Sequence, residues 1–208
     1  MTDAPLNNLP PAASGIIQRA KDILLKPNEI WPVIAAEPAT TQSIYVPYVL
    51  VLAALGPLAG FIGQQVFGIT MFGVTYHPPL VSALVMAIVS YGLSLATTFI
   101  LALVIDGLAT NFGGEKNQVQ ALKVAAYAGT AGWVGGIFGI LPAIAIIGLL
   151  FALYGLYLLY LGLPVLMKVP QDKALVYTIV VVVVYVVLFL IVGAVVGALS
   201  APSLVTIR

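Results

Sequence analysis

Read for the spacing of its apolar positions, the chain gives long slabs and not alternation. Near its end TIVVVVVYVVLFLIVGAVVGAL is apolar at almost every position, which leaves no face for water and predicts a helix buried on all sides or in lipid. A barrel strand would alternate apolar and polar residues over about ten positions. The slabs are each about twenty residues or longer, the length that carries a helix across roughly 30 Å of hydrocarbon at 1.5 Å per residue. Five spans follow, at 44–67, 80–106, 118–141, 142–166 and 174–200. The third and fourth are divided by WVGGIFGILPAIAII, where clustered glycines and Pro142 break a helix too long for one crossing. A single kinked helix at that point would leave four spans instead.

Ahead of the first span the pattern changes period. Between Ser14 and Leu25, residues Ile16, Ile17, Ala20, Ile23 and Leu24 recur at helical spacing while Gln18, Arg19, Lys21 and Asp22 take the other side. This predicts an amphipathic helix with Ser14 as N-cap, ending at Pro27. Trp31 follows in NEIWPVIAAEP, with the ring favoured at headgroup depth. The segment 14–43 is expected to lie in the cytoplasmic interface; a cytosolic cap packed on the bundle is the alternative. Residues 1–13 are polar and Pro-rich and predict disorder, and 201–208 form a tail. The fold class predicted is an all-α integral membrane protein, a bundle of five transmembrane helices preceded by an N-terminal amphipathic interfacial helix. No internal repeat or second folded domain is visible.

Composition agrees, because 62% hydrophobic and 7% charged residues stand far from the roughly 45–50% and 25% of soluble domains. With no cysteine, disulfides and thiolate metal sites are excluded. No signal-like apolar stretch precedes residue 44, so the first span is expected to serve as the targeting element. Charge sets the orientation, since Lys and Arg gather in short cytoplasmic loops. With five spans and a cytoplasmic N-terminus, Arg19, Lys21, Lys26, Lys116, Lys123, Lys168 and Lys173, seven of the eight basic residues, fall inside, and Arg208 falls outside. Merging the third and fourth spans would send Lys168 and Lys173 to the other face.

Three stretches carry a family likeness: IIQRAKDILLKPNEIWPVIAAEP, GLATNFGGEKNQVQALKVAAYAGTAGW and YGLYLLYLGLPVLMKVPQDKALVYT. The specific features are Leu25-x-Pro27 with Trp31, the Phe112-Gly113-Gly114 turn with Lys123-x-x-Ala126-Tyr127, and Tyr157-x-x-Tyr160-x-Gly162-Leu163-Pro164 followed by Val169-Pro170-x-Asp172-Lys173-Ala174 and Tyr177. On these the chain resembles the Yip1 domain family, in its bacterial branch. The resemblance implies a five-helix membrane domain with a cytosolic N-terminus, in the bacterial inner (cytoplasmic) membrane, with the C-terminus periplasmic. Eukaryotic members act in vesicle traffic and contact Rab-type GTPases and partner membrane proteins. They have longer cytosolic N-terminal regions than the 43 residues here, so that role does not transfer. No catalytic residue comes with the likeness.

Candidate chemistry is sparse. Asp106 is the one carboxylate inside an apolar run, LALVIDGLA, and such charges are costly and usually paired. Lys123, at similar depth on the next helix, is its candidate partner, while proton or cation coupling at Asp106 is the alternative. Lys116, Lys168 and Lys173, with Trp31, are candidate contacts for anionic lipid headgroups. The hairpin around them reads first as a well-made turn, Lys168 complementing the end of one helix and Asp172 the start of the next. Tyr154, Tyr157 and Tyr160 recur along the fourth span; Tyr160 and Tyr177 are expected in the interfacial belt, Tyr154 and Tyr185 deeper. One His, His77, and no Cys do not supply a protein-only tetrahedral zinc site, so no metal is expected. Gly56-x-x-x-Gly60, Gly132-x-x-x-Gly136, Gly135-x-x-x-Gly139 and Gly193-x-x-x-Gly197 let helices approach closely in lipid and are candidate docking surfaces, the last above all. No motif of a nucleotide, zinc or serine-nucleophile site is present. The expected function is a non-catalytic membrane scaffold or accessory subunit binding membrane lipids, other integral membrane proteins or itself, with no cofactor and no nucleic acid; a transporter or ion-conducting oligomer using Asp106 is the alternative.

Overall fold

The computed structural model describes residues 15–71, 73–141 and 144–200. The expected disorder of 1–13, the Ser14 cap, the Pro142 break and the tail with Arg208 lie outside them. Two short helices, α1 (Ile16–Leu25) and α2 (Pro27–Ala36), meet at Lys26. Pro27 opens α2 because its missing N–H is an orphan there in any case.

The first long helix, Thr41–Phe67, is interrupted by its own prolines. It starts at α3 (Thr41–Ile44) with a reciprocal Thr40–Ser43 capping box, widens into a π turn at Tyr45–Val49 around Pro47, and continues as α4 (Leu50–Ala53) and α5 (Leu55–Phe67). Proline cannot donate to the ladder, and a local π turn accommodates the loss. A hairpin of β1 (Ile69–Met71) and β2 (Val74–Tyr76), antiparallel with Thr70 opposite Thr75, then leads into α6 (Leu80–Ala109). The apolar pattern had placed only a loop there.

Helices α7 (Gln118–Gly135), α8 (Ala145–Met167) and α9 (Gln171–Ser200) complete the described chain. Four helices among the described residues are long and apolar enough to cross a membrane: Thr41–Phe67, Leu80–Phe112, Ile146–Met167 and Gln171–Ala198. The third span expected from the pattern corresponds to α7, which has the length but not the hydropathy. It carries Gln118, Gln120 and Lys123, and ten of its 18 residues are buried. A helix enclosed by others needs no lipid-compatible surface. The first helix, α6 and α8 pack around it, while α9 lies outermost against α6 and α8.

The end of α8 falls one residue past the expected 166. Pro164 lies inside the helix, which runs to Met167 and is capped by Lys168 in the left-handed region at φ 52°. Asp172 sits in the first turn of α9, where the helix dipole favours a carboxylate.

Candidate functional site

The α1–α2 pair does not lie flat across the end of the bundle. Tyr154 Oη donates to Leu24 O at the end of α1 (2.7 Å), and Tyr154 lies roughly 20 Å along α8 from Met167 at 1.5 Å per residue. The pair is therefore a helical wedge seated along the side of α7 and α8. Its apolar anchor is Trp31, 1% exposed, whose ring lies on Gly162 so closely that a Cβ there would come within 2.8 Å of it. This corrects the assignment of Trp31 to lipid headgroups: its burial leaves nothing for a headgroup to reach.

The last carbonyls of a helix lack intrahelical donors, and here α7 supplies them. Gln120 Nε2 donates to Ala35 O (2.9 Å), and Lys123 Nζ donates to Ile34 O (2.7 Å) and Glu37 O (2.6 Å). A cation at a helix C-terminus also complements the dipole. Arg19, expected on the solvent side of α1, is buried instead and pairs with the Glu37 side chain at 2.6 Å. Its guanidinium lies 5.9 Å from the Tyr127 ring centroid, which meets Tyr48 edge-on at 4.9 Å. Tyr48 Oη in turn shares a 2.8 Å hydrogen bond with Thr130 Oγ1. Of the apolar face assigned to α1, Ala20 and Ile23 are buried and Ile16 and Leu24 pack against the core, while Ile17 is 72% exposed.

Asp106 and Lys123 form no ion pair. The ammonium is engaged by the end of α2, and Asp106 Oδ1 is buried without a hydrogen-bond partner. On the same stretch of α6, Ile105 O accepts from Tyr177 Oη (2.5 Å). Tyr177 is wholly buried and stacks on Phe112 at 5.0 Å, so it is a tie between α9 and α6 and not a belt residue. Other tyrosines tie helices in the same way: Tyr45 donates to Leu95 O and Tyr91 to Leu50 O. Tyr157 and Tyr160 are exposed.

At the wedge end of the bundle, the two short connections meet. Gly113 adopts φ +76°, and Gly114 lies where a Cβ would fall 2.6 Å from Met167 O. That approach lets Glu115 N donate to Met167 O (2.9 Å). Lys168 pairs with Glu115 at 2.7 Å with both side chains about two-thirds exposed, and Lys116 and Lys173 are exposed beside it. The candidate lysines thus share one surface.

The glycine surfaces separate into used and open ones. A Cβ on Gly136 would fall 2.7 Å from Gly56 Cα, and one on Gly63 2.6 Å from Gly139 O. The Gly56 and Gly136 faces are therefore a contact between α5 and the end of α7, which removes them as external docking surfaces. Gly60 lies on the same contact, its N 3.9 Å from the position of a Cβ on Gly139. Added Cβ atoms at Gly132, Gly193 and Gly197 would meet nothing within 4 Å.

Sequence reasoning singled out Lys123 but missed Arg19, Glu37 and Gln120 as its companions. The Gln120 and Lys123 pair at i, i+3 on one face of α7 was the available signal. Several features carrying the family likeness converge here: Trp31 on Gly162, Lys123 and Tyr127 on the wedge, and the Phe112-Gly113-Gly114 turn on the Met167–Pro170 connection. A family model, that of the Yip1 domain, matches residues 21–193. It describes the family as a whole and carries no information on a bacterial branch. No curated protein and no solved structure matches the chain.

Proposed function

The chain belongs to the Yip1 domain family, and from that premise we propose that it is a non-catalytic membrane scaffold or accessory subunit, offering the end that carries the wedge to anionic lipids and to other membrane proteins. One observation carries this reading: the buried cations are committed to structure, Lys123 to α2 and Arg19 to Glu37, while the exposed Lys116, Lys168 and Lys173 share the surface beside them. Basic side chains near a membrane attract anionic headgroups by about 1 kcal/mol each.

In this reading five helices cross the bilayer. The interior α7 is the fifth crossing, its polar groups tolerated because neighbouring helices and the wedge cover them. The wedge end then faces the cytoplasm of a bacterial inner membrane and the C-terminus the periplasm, in keeping with the basic residues gathered there.

The test is capture from native membranes in mild detergent, alongside binding to vesicles with and without anionic phospholipid. Reversal of Lys116, Lys168 and Lys173 to Glu should abolish the anionic preference and release a specific membrane-protein partner. Unchanged capture and unchanged vesicle preference would overturn the proposal. A second reading, ion or proton coupling at Asp106, is favoured by the unpartnered Oδ1. It requires that Asp106→Asn abolish a cation or proton flux that the wild-type protein supports in liposomes.

A further inference from the structure

On the side of α7 and α8 away from the wedge, a cavity of about 290 Å³ is lined by α6, α7, α8 and α9. We propose that it holds one hydrocarbon chain of a bilayer phospholipid. The proposal rests on the reading of the chain as a lipid-binding membrane protein and adds the ligand and its place.

Small residues create the space. Ala128, Gly129 and Gly132 on α7 and Gly155 on α8 line the walls, and an added Cβ at Gly132 would meet no atom within 4 Å. The cavity sits midway along its helices: the residues of α6 that line it run from Ser90 to Leu101 within Leu80–Ala109. Its opening is lateral, because Ala152 of α8 and Phe189 of α9, both in the wall, are exposed. Beyond this point an added Cβ at Gly193 or Gly197 would meet nothing within 4 Å. What stands at such an opening in a bilayer is acyl chain.

The walls are mostly apolar, with Leu101, Leu156, Leu159, Phe189 and Val192 among the small residues. Trp133 Nε1 donates to Ser94 Oγ (3.3 Å) and Thr98 Oγ1 to Ser94 O (2.9 Å) within the wall, which Ser90, Thr97 and Tyr185 also line. Left empty, an apolar space forfeits the dispersion contacts of its lining. The volume lies near the lower end of ligand pockets, roughly 300–1,000 Å³. It suits one chain and not a whole lipid, so the headgroup stays at the membrane surface.

Trp133 reports on the occupant. The full-length protein in phosphatidylcholine vesicles whose chains are brominated near mid-length should show quenching of Trp133 fluorescence, defined as the part absent from Trp133→Phe. Gly132→Leu, which fills the space beside that ring, should reduce quenching to the Trp133→Phe level, and Ala152→Phe at the opening should do the same should the first variant not fold. Gly193→Leu, outside the cavity, should leave quenching at the wild-type level. Native mass spectrometry should find a phospholipid mass on the wild-type protein and none on Gly132→Leu; a retained fatty acid, a detergent molecule or a cross-linked partner helix as occupant would contradict the assignment. Equal quenching in wild type and in both filled variants would overturn it. Because Lys116, Lys168 and Lys173 lie elsewhere, a failure here leaves their vesicle preference intact, and a failure there leaves this quenching intact.

Discussion

A lysine inside a membrane bundle is a cost unless something specific faces it, and Lys123 faces two carbonyls at the end of α2. Lys123→Met relieves the desolvation of an ammonium but strands the buried Ile34 O and the half-buried Glu37 O, so the net loss should be about 1–3 kcal/mol, read as a lower unfolding midpoint in detergent. Asp106→Asn and Lys123→Met should add to within about 0.5 kcal/mol, because the two residues share no contact; a coupling well above that would restore the ion pair. The sequence marked Asp106 as a charge in an apolar run and joined it to Lys123, since a search for opposite charges sees side chains and not the free carbonyls of a helix end. Trp31 was misread for a related reason. An indole suits headgroup depth and a tight core alike, and what decides is Gly162, 131 positions away in the chain and visible as a partner only once folded. Gly162→Leu should therefore displace the Trp31 ring and, in a Trp133→Phe background, shift its emission to the red; unchanged emission would show that the ring does not sit there.

Long, uniformly apolar elements were legible from their residues alone: α9 and α6 announce themselves, and the start of the Thr41–Phe67 helix falls within three residues of the expected position 44. Helix α7 was read as an ordinary span, yet its burial makes it the least apolar of the long helices, a property periodicity does not separate from a weak signal. The β1–β2 hairpin was missed because two strands of three residues each are too short for alternation to register. Glycine spacing told where helices approach without telling which. The contact between Gly56 and Gly136 is backbone to backbone, so neither side can yield, and Gly136→Leu should cost about 3 kcal/mol or more. Gly193→Leu, facing open space, should leave the unfolding midpoint of the monomer nearly unchanged. Equal losses at the two positions would mean that the outer half of α9 is packed.

For the whole molecule, charge placement and the wedge make one account: Lys116, Lys168 and Lys173 share the end from which the N-terminal helices fold back along α7 and α8. A reporter fused after Arg208 should be non-cytoplasmic if α7 is a crossing, and a cytoplasmic signal would reduce the bundle to four spans. The more direct question is whether the wedge is a seated part of the membrane domain or a loose interfacial arm. Hydrogen–deuterium exchange on the intact protein in nanodiscs answers it, because amide protection follows the free energy of local opening. The account predicts that residues 27–36 are protected to a degree comparable with α7 in the wild type, and that in Lys123→Met they exchange fast while α6 and α9 keep their protection. Fast exchange of 27–36 in the wild type, or protection untouched by Lys123→Met, would contradict it.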